Sequence, residues 1–212
     1  MNTPSTFEAL FQKHTALVDA VQSEMGEKRF AHTLSVAKEA LRLASEFSLS
    51  GKDTERLFLA ALLHDITKAR SFDEQIALAD TLGVVLTKED LASPPVLHAL
   101  TGAAYAKQHF PALVDDGICE AIRTHTVGKA DMTLFDKLLF LADYIEESRT
   151  HTVCQQTRRQ FYQELASGHN KETTLDHTLL TILQNTASFV KDSGRALHSA
   201  SLNTIESLSK KG

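Results

Sequence analysis

Residues 57–68, Leu-Phe-Leu-Ala-Ala-Leu-Leu-His-Asp-Ile-Thr-Lys, constrain this chain more than any other stretch. Seven apolar residues run without a break from Leu57 to Leu63 and carry a helix into a core, and His64 and Asp65 follow with no polar spacer. An ionised carboxylate taken out of water without a partner costs several kcal/mol, so buried charges are paired or bind a metal. Asp65 therefore needs a cation. A neutral imidazole is a common companion of carboxylate at divalent metals, and Lys68 returns one helical turn later, on the side of the helix that carries His64 and Asp65. The stretch reads as a metal site with a lysine aimed at an anion.

Around it the apolar residues recur at helical spacing. Residues 6–25 place Phe7, Leu10, Phe11, Leu17, Val18 and Val21 on one stripe and stop at Gly26; residues 28–47 form a second helix with His32 near its start. Ser50-Gly51 reads as a turn and Asp53 as the cap of the helix that carries the opening stretch. Residues 71–82 form a shorter helix. Gly83 to Leu86 is a β-branched run too short for a sheet. Pro94-Pro95 open a helix over 96–109 with His98 in its first turn, and Gly102 and Ala103 let a neighbour approach closely. Asp115-Asp116 start the next, which ends at Arg123-Thr124-His125-Thr126 before Gly128. Asp131 caps 132–147, whose apolar centre contains Asp143, and helices over 150–167 and 171–193 precede a short polar tail. This pattern predicts an all-α fold, a single bundle-like domain over residues 1–212 with eight to ten helices.

Composition narrows the function classes. With 42% apolar residues among 212, the chain can bury a substantial core, and a net charge of −5 argues against a nucleic-acid coat or an anionic membrane surface. Any anionic substrate must be held by local charge. The longest apolar run is far short of the ~20 residues of a membrane span. Residues 1–8 show neither a basic nor an apolar leader region, and two distant cysteines, Cys119 and Cys154, read as reduced thiols of a cytoplasmic protein. His14, His109, His151, His169, His177 and His198 sit in polar or amphipathic surroundings and read as incidental, and Phe7, Phe11, Phe47 and Phe58 as core.

Asp65 and Asp143 lie on separate helices, each inside an apolar run. One cation between them removes both burial penalties, whereas two salt bridges need two buried bases that the neighbouring sequence does not offer. His32, His98 and His125, each near a helix end or first turn, can converge on the same cleft.

The order His32, His64-Asp65, His98, His125, Asp143 resembles the HD-domain metal-dependent phosphohydrolases, an all-α superfamily. The words around it, Arg29-Phe30-Ala31-His32-Thr33-Leu34, Ala60-Ala61-Leu62-Leu63-His64-Asp65-Ile66-Thr67-Lys68, Ala121-Ile122-Arg123-Thr124-His125-Thr126-Val127-Gly128 and Phe140-Leu141-Ala142-Asp143-Tyr144-Ile145-Glu146, resemble the symmetrical diadenosine tetraphosphatases of the YqeK type over about 28–191. The resemblance implies hydrolysis of diadenosine tetraphosphate at its centre to two ADP, with iron as the usual metal. It implies metal ligation by His32, His64, Asp65 and Asp143, and substrate contacts by Arg29, Ile66, Thr67, Lys68, His98, His125, Thr126 and Arg149. Three positions depart from the family pattern: Ala99 stands where Gly is usual, narrowing the substrate's approach, Ser35 where Gly is common, and Glu147 where Pro is common. None removes a ligand.

The chemistry of the residues agrees. A phosphoanhydride needs charge neutralisation, positioning and a deprotonated water, which a metal with open positions supplies. Four protein ligands leave such positions on octahedral iron, or next manganese, but not on closed tetrahedral zinc. Asp65 can orient the water as a base and Lys68 can reach a metal-bound phosphate. His98 and His125 can bind phosphate, donate to the leaving oxygen or hold a second metal; one ion is the favoured count. Two other readings stand beside this one, an HD phosphohydrolase for another nucleotide and a non-catalytic nucleotide or metal sensor. A homodimer is compatible with all three.

Overall fold

The computed structural model describes residues 5–210; residues 1–4, which carry part of the leader reading, lie outside the described residues. Among the described residues there is no strand, and twelve helices follow in order: α1 (Thr6–Lys13), α2 (Thr15–Ser23), α3 (Glu27–Glu46), α4 (Gly51–Leu63), α5 (Phe72–Thr81), α6 (Lys88–Ala92), α7 (Pro94–His109), α8 (Asp116–Thr124), α9 (Leu134–Ile145), α10 (Thr152–Ala166), α11 (Lys171–Asp192) and α12 (Ser199–Ser209).

The count exceeds the expected eight to ten for three local reasons. The amino-terminal stripe is two helices, because the backbone breaks at His14 (φ −112°, ψ 28°) and turns its ring inward, where Nε2 meets Glu55 at 2.7 Å. His14 is buried, not incidental. The five-residue α6 is too short for periodicity to reveal, yet Thr87 and Asp90 bond each other reciprocally as a capping box. The polar tail is helix α12, which buries Ser201, Thr204 and Leu208. Thr204 sits so close to Gly128 (φ +72°) that a Cβ there would lie 2.7 Å from the hydroxyl. Two caps also move: Ser50, not Asp53, caps α4 by accepting from the Asp53 N–H, and Thr133, not Asp131, caps α9 with Asp136.

Helix α4 is the centre. Its residues Leu57–Leu63 are all buried, with α3, α8 and α9 packed around it, α7 against α8, and α5 against α7. At about 1.5–3 kcal/mol for each fully buried large apolar side chain, this wrapped helix is the anchor from which the polar residues beyond Leu63 project. Helices α10, α11 and α12 complete the bundle, with α11 touching α9, α10 and α12. No described helix is long and apolar enough to cross a membrane.

Candidate metal centre

Helix α4 ends at Leu63, and His64 is its C-cap; residues 65–69 continue as turns, with Lys68 N–H donating to the Asp65 carbonyl at 3.0 Å. The Lys68 side chain still returns to Asp65, by a turn and not by the helical spacing the sequence implied. Helix α7 can press against this turn because Gly102 is bare: a Cβ there would stand 3.4 Å from Thr67 Oγ1 and 3.6 Å from the His64 carbonyl.

The turn brings Asp65, wholly buried, into a ring of imidazoles and cations. Its Oδ2 lies 2.9 Å from Lys68 Nζ, 3.3 Å from Arg29 Nη1, 3.6 Å from His64 Nε2 and 3.9 Å from His32 Nε2; its Oδ1 lies 3.1 Å from His98 Nε2 and 3.6 Å from His125 Nε2. Asp143, on α9, places Oδ1 3.0 Å from His32 Nε2, 3.8 Å from His64 Nε2 and 2.6 Å from Arg149 Nη2. Two overlapping groups could hold an ion, His32 with His64 and Asp143, and His64 with Asp65 and His125; within each the ligand atoms lie within 4.8 Å of one another. His64 belongs to both.

The decisive atom is His64 Nε2. The Nδ1 of the same ring lies 2.7 Å from the Ala61 carbonyl, to which it can only donate, so Nε2 of the neutral ring carries a lone pair. That nitrogen is buried and has no hydrogen-bond partner. An orphaned acceptor costs about 1–3 kcal/mol. Flanked by two carboxylates, it fits a divalent cation better than any group the chain itself supplies. His125 is held the same way, with Nδ1 2.6 Å from the Ile122 carbonyl and Nε2 directed inward.

Electrostatics prepares these groups for a cation. Burial pushes His64 and His98 down to about 4, so both rings are neutral at pH 7. Burial also opposes ionisation of the two aspartates, yet the hydrogen bond from His98 and the Lys68 ammonium hold Asp65 well below the usual carboxylate range, and His32 and Arg149 do the same for Asp143. His32 runs the other way: burial lowers it, but hydrogen bonds to Asp143 and Glu146 outweigh that and raise it to about 9, so its Nε2 must give up a proton before it can bind a metal.

Two cavities open on the cluster. One, of about 300 Å³, is bounded by Val96, Val127, Phe140, Tyr144, Ile182 and Leu197 and reaches His98, His125, Thr126 and Asp143. The other, of about 870 Å³, is lined by Lys28, Arg29, His32, Asp65, Glu146, Arg149 and His151. Lys68 lines both. Thr126 Oγ1, buried and without a partner, lies on the first.

Of the residues read from the sequence, Arg29, His32, His64, Asp65, Lys68, His98, His125, Asp143 and Arg149 meet in this cluster. Ile66 and Thr67 do not reach it as substrate contacts. Ile66 is wholly buried, and Thr67 is spent within the protein, its hydroxyl bonding to the His98 carbonyl and Thr101 while its own carbonyl accepts from Gln75. Ala99 is wholly buried in α7 and narrows neither cavity. Sequence reasoning missed Glu146, whose Oε1 lies 3.1 Å from His32 Nδ1; its position three residues after Asp143 was the available signal. It also missed Arg158, which donates to the carbonyls of Ile145 and Glu146. His198 is no bystander either: its Nε2 donates to Asp90 at 3.1 Å and it helps to wall the smaller cavity.

A family model described as HD domain matches residues 29–148, which include the cluster residues from Arg29 to Asp143 and stop one short of Arg149. The chain is 30% identical over 190 residues to a symmetrical bis(5'-nucleosyl)-tetraphosphatase of Halalkalibacterium halodurans, covering 89% of this chain and 92% of that one. It is 33% identical over 172 residues to the protein of the same name in Bacillus subtilis, covering 80% and 83%. In three dimensions it is similar, with a TM-score of 0.81 and 30% identity, to an HD superfamily hydrolase from Clostridium acetobutylicum described as involved in NAD metabolism, covering 94% of this chain and 98% of that one.

Proposed function

The chain belongs to the HD-domain family and to its symmetrical bis(5'-nucleosyl)-tetraphosphatases, and from that premise we propose that it hydrolyses diadenosine tetraphosphate at the central anhydride to two ADP, using one divalent metal held by His32, His64, Asp65 and Asp143. The orphaned, inward-facing Nε2 of His64 between two ionised aspartates carries the reading. Two imidazoles and two carboxylates suit iron, with manganese next. A second ion beside His98 and His125 would share Asp65. When bound, the metal supplies an acidified water and neutralises phosphate charge.

The chain's own residues do the rest. Asp65, whose Oδ1 faces His98 and His125, orients the attacking water by accepting a hydrogen bond from it. Lys68, Arg29 and Arg149 line the larger cavity, where their charges bind phosphate oxygens and stabilise the transition state. His98 and His125 line the smaller cavity with Lys68; His98 can donate to the departing phosphate, whereas the Nε2 lone pair of His125 suits a cation. The smaller, apolar cavity encloses an adenosine, with the free Thr126 hydroxyl available to it. Ile66 and Thr67 hold the turn from beneath. The free thiols of Cys119 and Cys154 fit a reducing compartment such as the cytoplasm.

The test is incubation of the purified, metal-loaded protein with diadenosine tetraphosphate and chromatography of the products. ADP alone is expected. AMP with ATP would mean asymmetric cleavage, and binding without turnover would make the protein a sensor.

A further inference from the structure

A dinucleoside tetraphosphate is the same from either end, but the two sides of this cluster are not. On one side the cavity of about 300 Å³ has hydrocarbon and aromatic walls, among them Val96, Phe140, Tyr144 and Ile182. On the other the cleft of about 870 Å³ is charged and polar, with Lys28, Arg29, Lys68 and Arg149 set against Glu27 and Glu146, and Ala31 is the largest apolar side chain on it. A nucleobase is held by an apolar or aromatic enclosure with a few placed polar groups, and a polyphosphate by Lys and Arg. Outside the metal cluster, the exposed ring of His151 is the aromatic surface this cleft offers.

We infer that the site recognises one nucleoside only, in the smaller cavity, and takes the far half of its substrate by the phosphates alone. Its substrate class is then 5'-nucleoside tetraphosphates carrying any group, or none, on the last phosphate. This rests on the hydrolase reading and on the smaller cavity as the nucleoside site. With adenosine 5'-tetraphosphate the step balances as it does for the dinucleotide. The oxygen of water forms a bond to one of the two central phosphorus atoms, the bridging P–O bond breaks, and the bridging oxygen leaves with the electron pair and takes up a proton. The products are ADP and pyrophosphate. The extra charge on the unsubstituted terminal phosphate falls in the cleft that Lys28 and Arg149 line.

The experiment compares kcat/KM for diadenosine tetraphosphate, adenosine 5'-tetraphosphate and inorganic tetraphosphate on the same metal-loaded protein. Because a specific pocket discriminates by about tenfold or more, the first two should agree within about fivefold, while the inorganic compound, which lacks both nucleosides, falls by about a hundredfold. A hundredfold loss with adenosine 5'-tetraphosphate, while the dinucleotide still gives two ADP, overturns this inference and leaves the hydrolase reading standing. No ADP from the dinucleotide overturns both. His151→Ala should lower the two adenosine substrates equally; a loss confined to the dinucleotide would place a second base on that ring and overturn the one-sided site.

Discussion

Asp65 faces more opposing groups than any other side chain in the cluster: two cations and four imidazoles lie within 3.9 Å of its oxygens. Asp65→Ala should therefore abolish both metal content and ADP release, read by elemental analysis and chromatography; full metal stoichiometry in this variant would show that the ion does not need Asp65. Lys68 pairs with the same carboxylate but supplies no lone pair while charged, so Lys68→Ala should lower turnover by roughly 10²–10³-fold, as for loss of one preorganised charge in a closed site, with metal retained. Loss of metal would reassign Lys68 to structure. Glu146 works one step further out. It accepts from His32 Nδ1 and from the Ser148 backbone N–H and hydroxyl, a carboxylate that fixes the orientation of an imidazole ligand. Such outer partners are worth about 10–100-fold in metal affinity. Glu146→Gln should weaken metal binding by that order in a titration of the metal-free protein, without unfolding it.

Among the elements, α8 shows how one residue serves two of them. Asp115 caps α8 by accepting from the Ile118 N–H at 2.9 Å, and Arg56 of α4 donates to both its oxygens at 2.7 and 2.9 Å. The Arg56 guanidinium, ahead of the opposing effect of partial burial, pulls its carboxyl down to about 2. Because the folded value lies below the ordinary ~3.9, the unfolded chain binds more protons in between, so the stabilisation is complete above about pH 4 and is lost as pH falls toward 2. Asp115→Ala should cost about 1 kcal/mol at neutral pH for the lost cap, and the difference from the unmodified protein should shrink across that acid window in urea titrations. A difference unchanged down to pH 2 would contradict the pairing. Several boundaries were legible from the same chemistry, such as Asp115 before α8 and the prolines that open α7. Short or polar helices were not. The apolar repeat has too few turns in α6, and in α12 the buried face is largely Ser201 and Thr204, side chains that sequence patterning assigns to solvent.

At the scale of the molecule, the proposed ligands come from α3, the turn after α4, and α9, so the ion ties three separate elements of the bundle together. An ion that binds only the folded protein stabilises it by mass action, about 2.7 kcal/mol at a hundred times its dissociation constant. For a chain of this size that is a shift of roughly 5–10 °C in Tm. Chelation should lower Tm by this amount and added iron or manganese should restore it. An unchanged Tm would separate the metal from the fold.

The sequence by itself determined that this is a helical protein with Asp65 and Asp143 set inside apolar runs, because helical periodicity is a local property of the chain; that Asp143 is only partly buried, and that Lys68, Arg29 and Arg149 already pair with the two carboxylates, it did not show. It also marked the residues that surround them, from Arg29 and His32 through Asp143 to Arg149. Only the tertiary structure decided which atoms face inward. That His64 Nε2 is left without a partner depends on the Ala61 carbonyl taking the ring's other nitrogen, that Thr67 is withdrawn from substrate depends on α7 lying against it across Gly102, and that the cluster has one apolar and one charged side depends on where α11 and the α9–α10 connection come to rest. Those are distances between residues far apart in the chain, and packing, not spacing along the sequence, sets them.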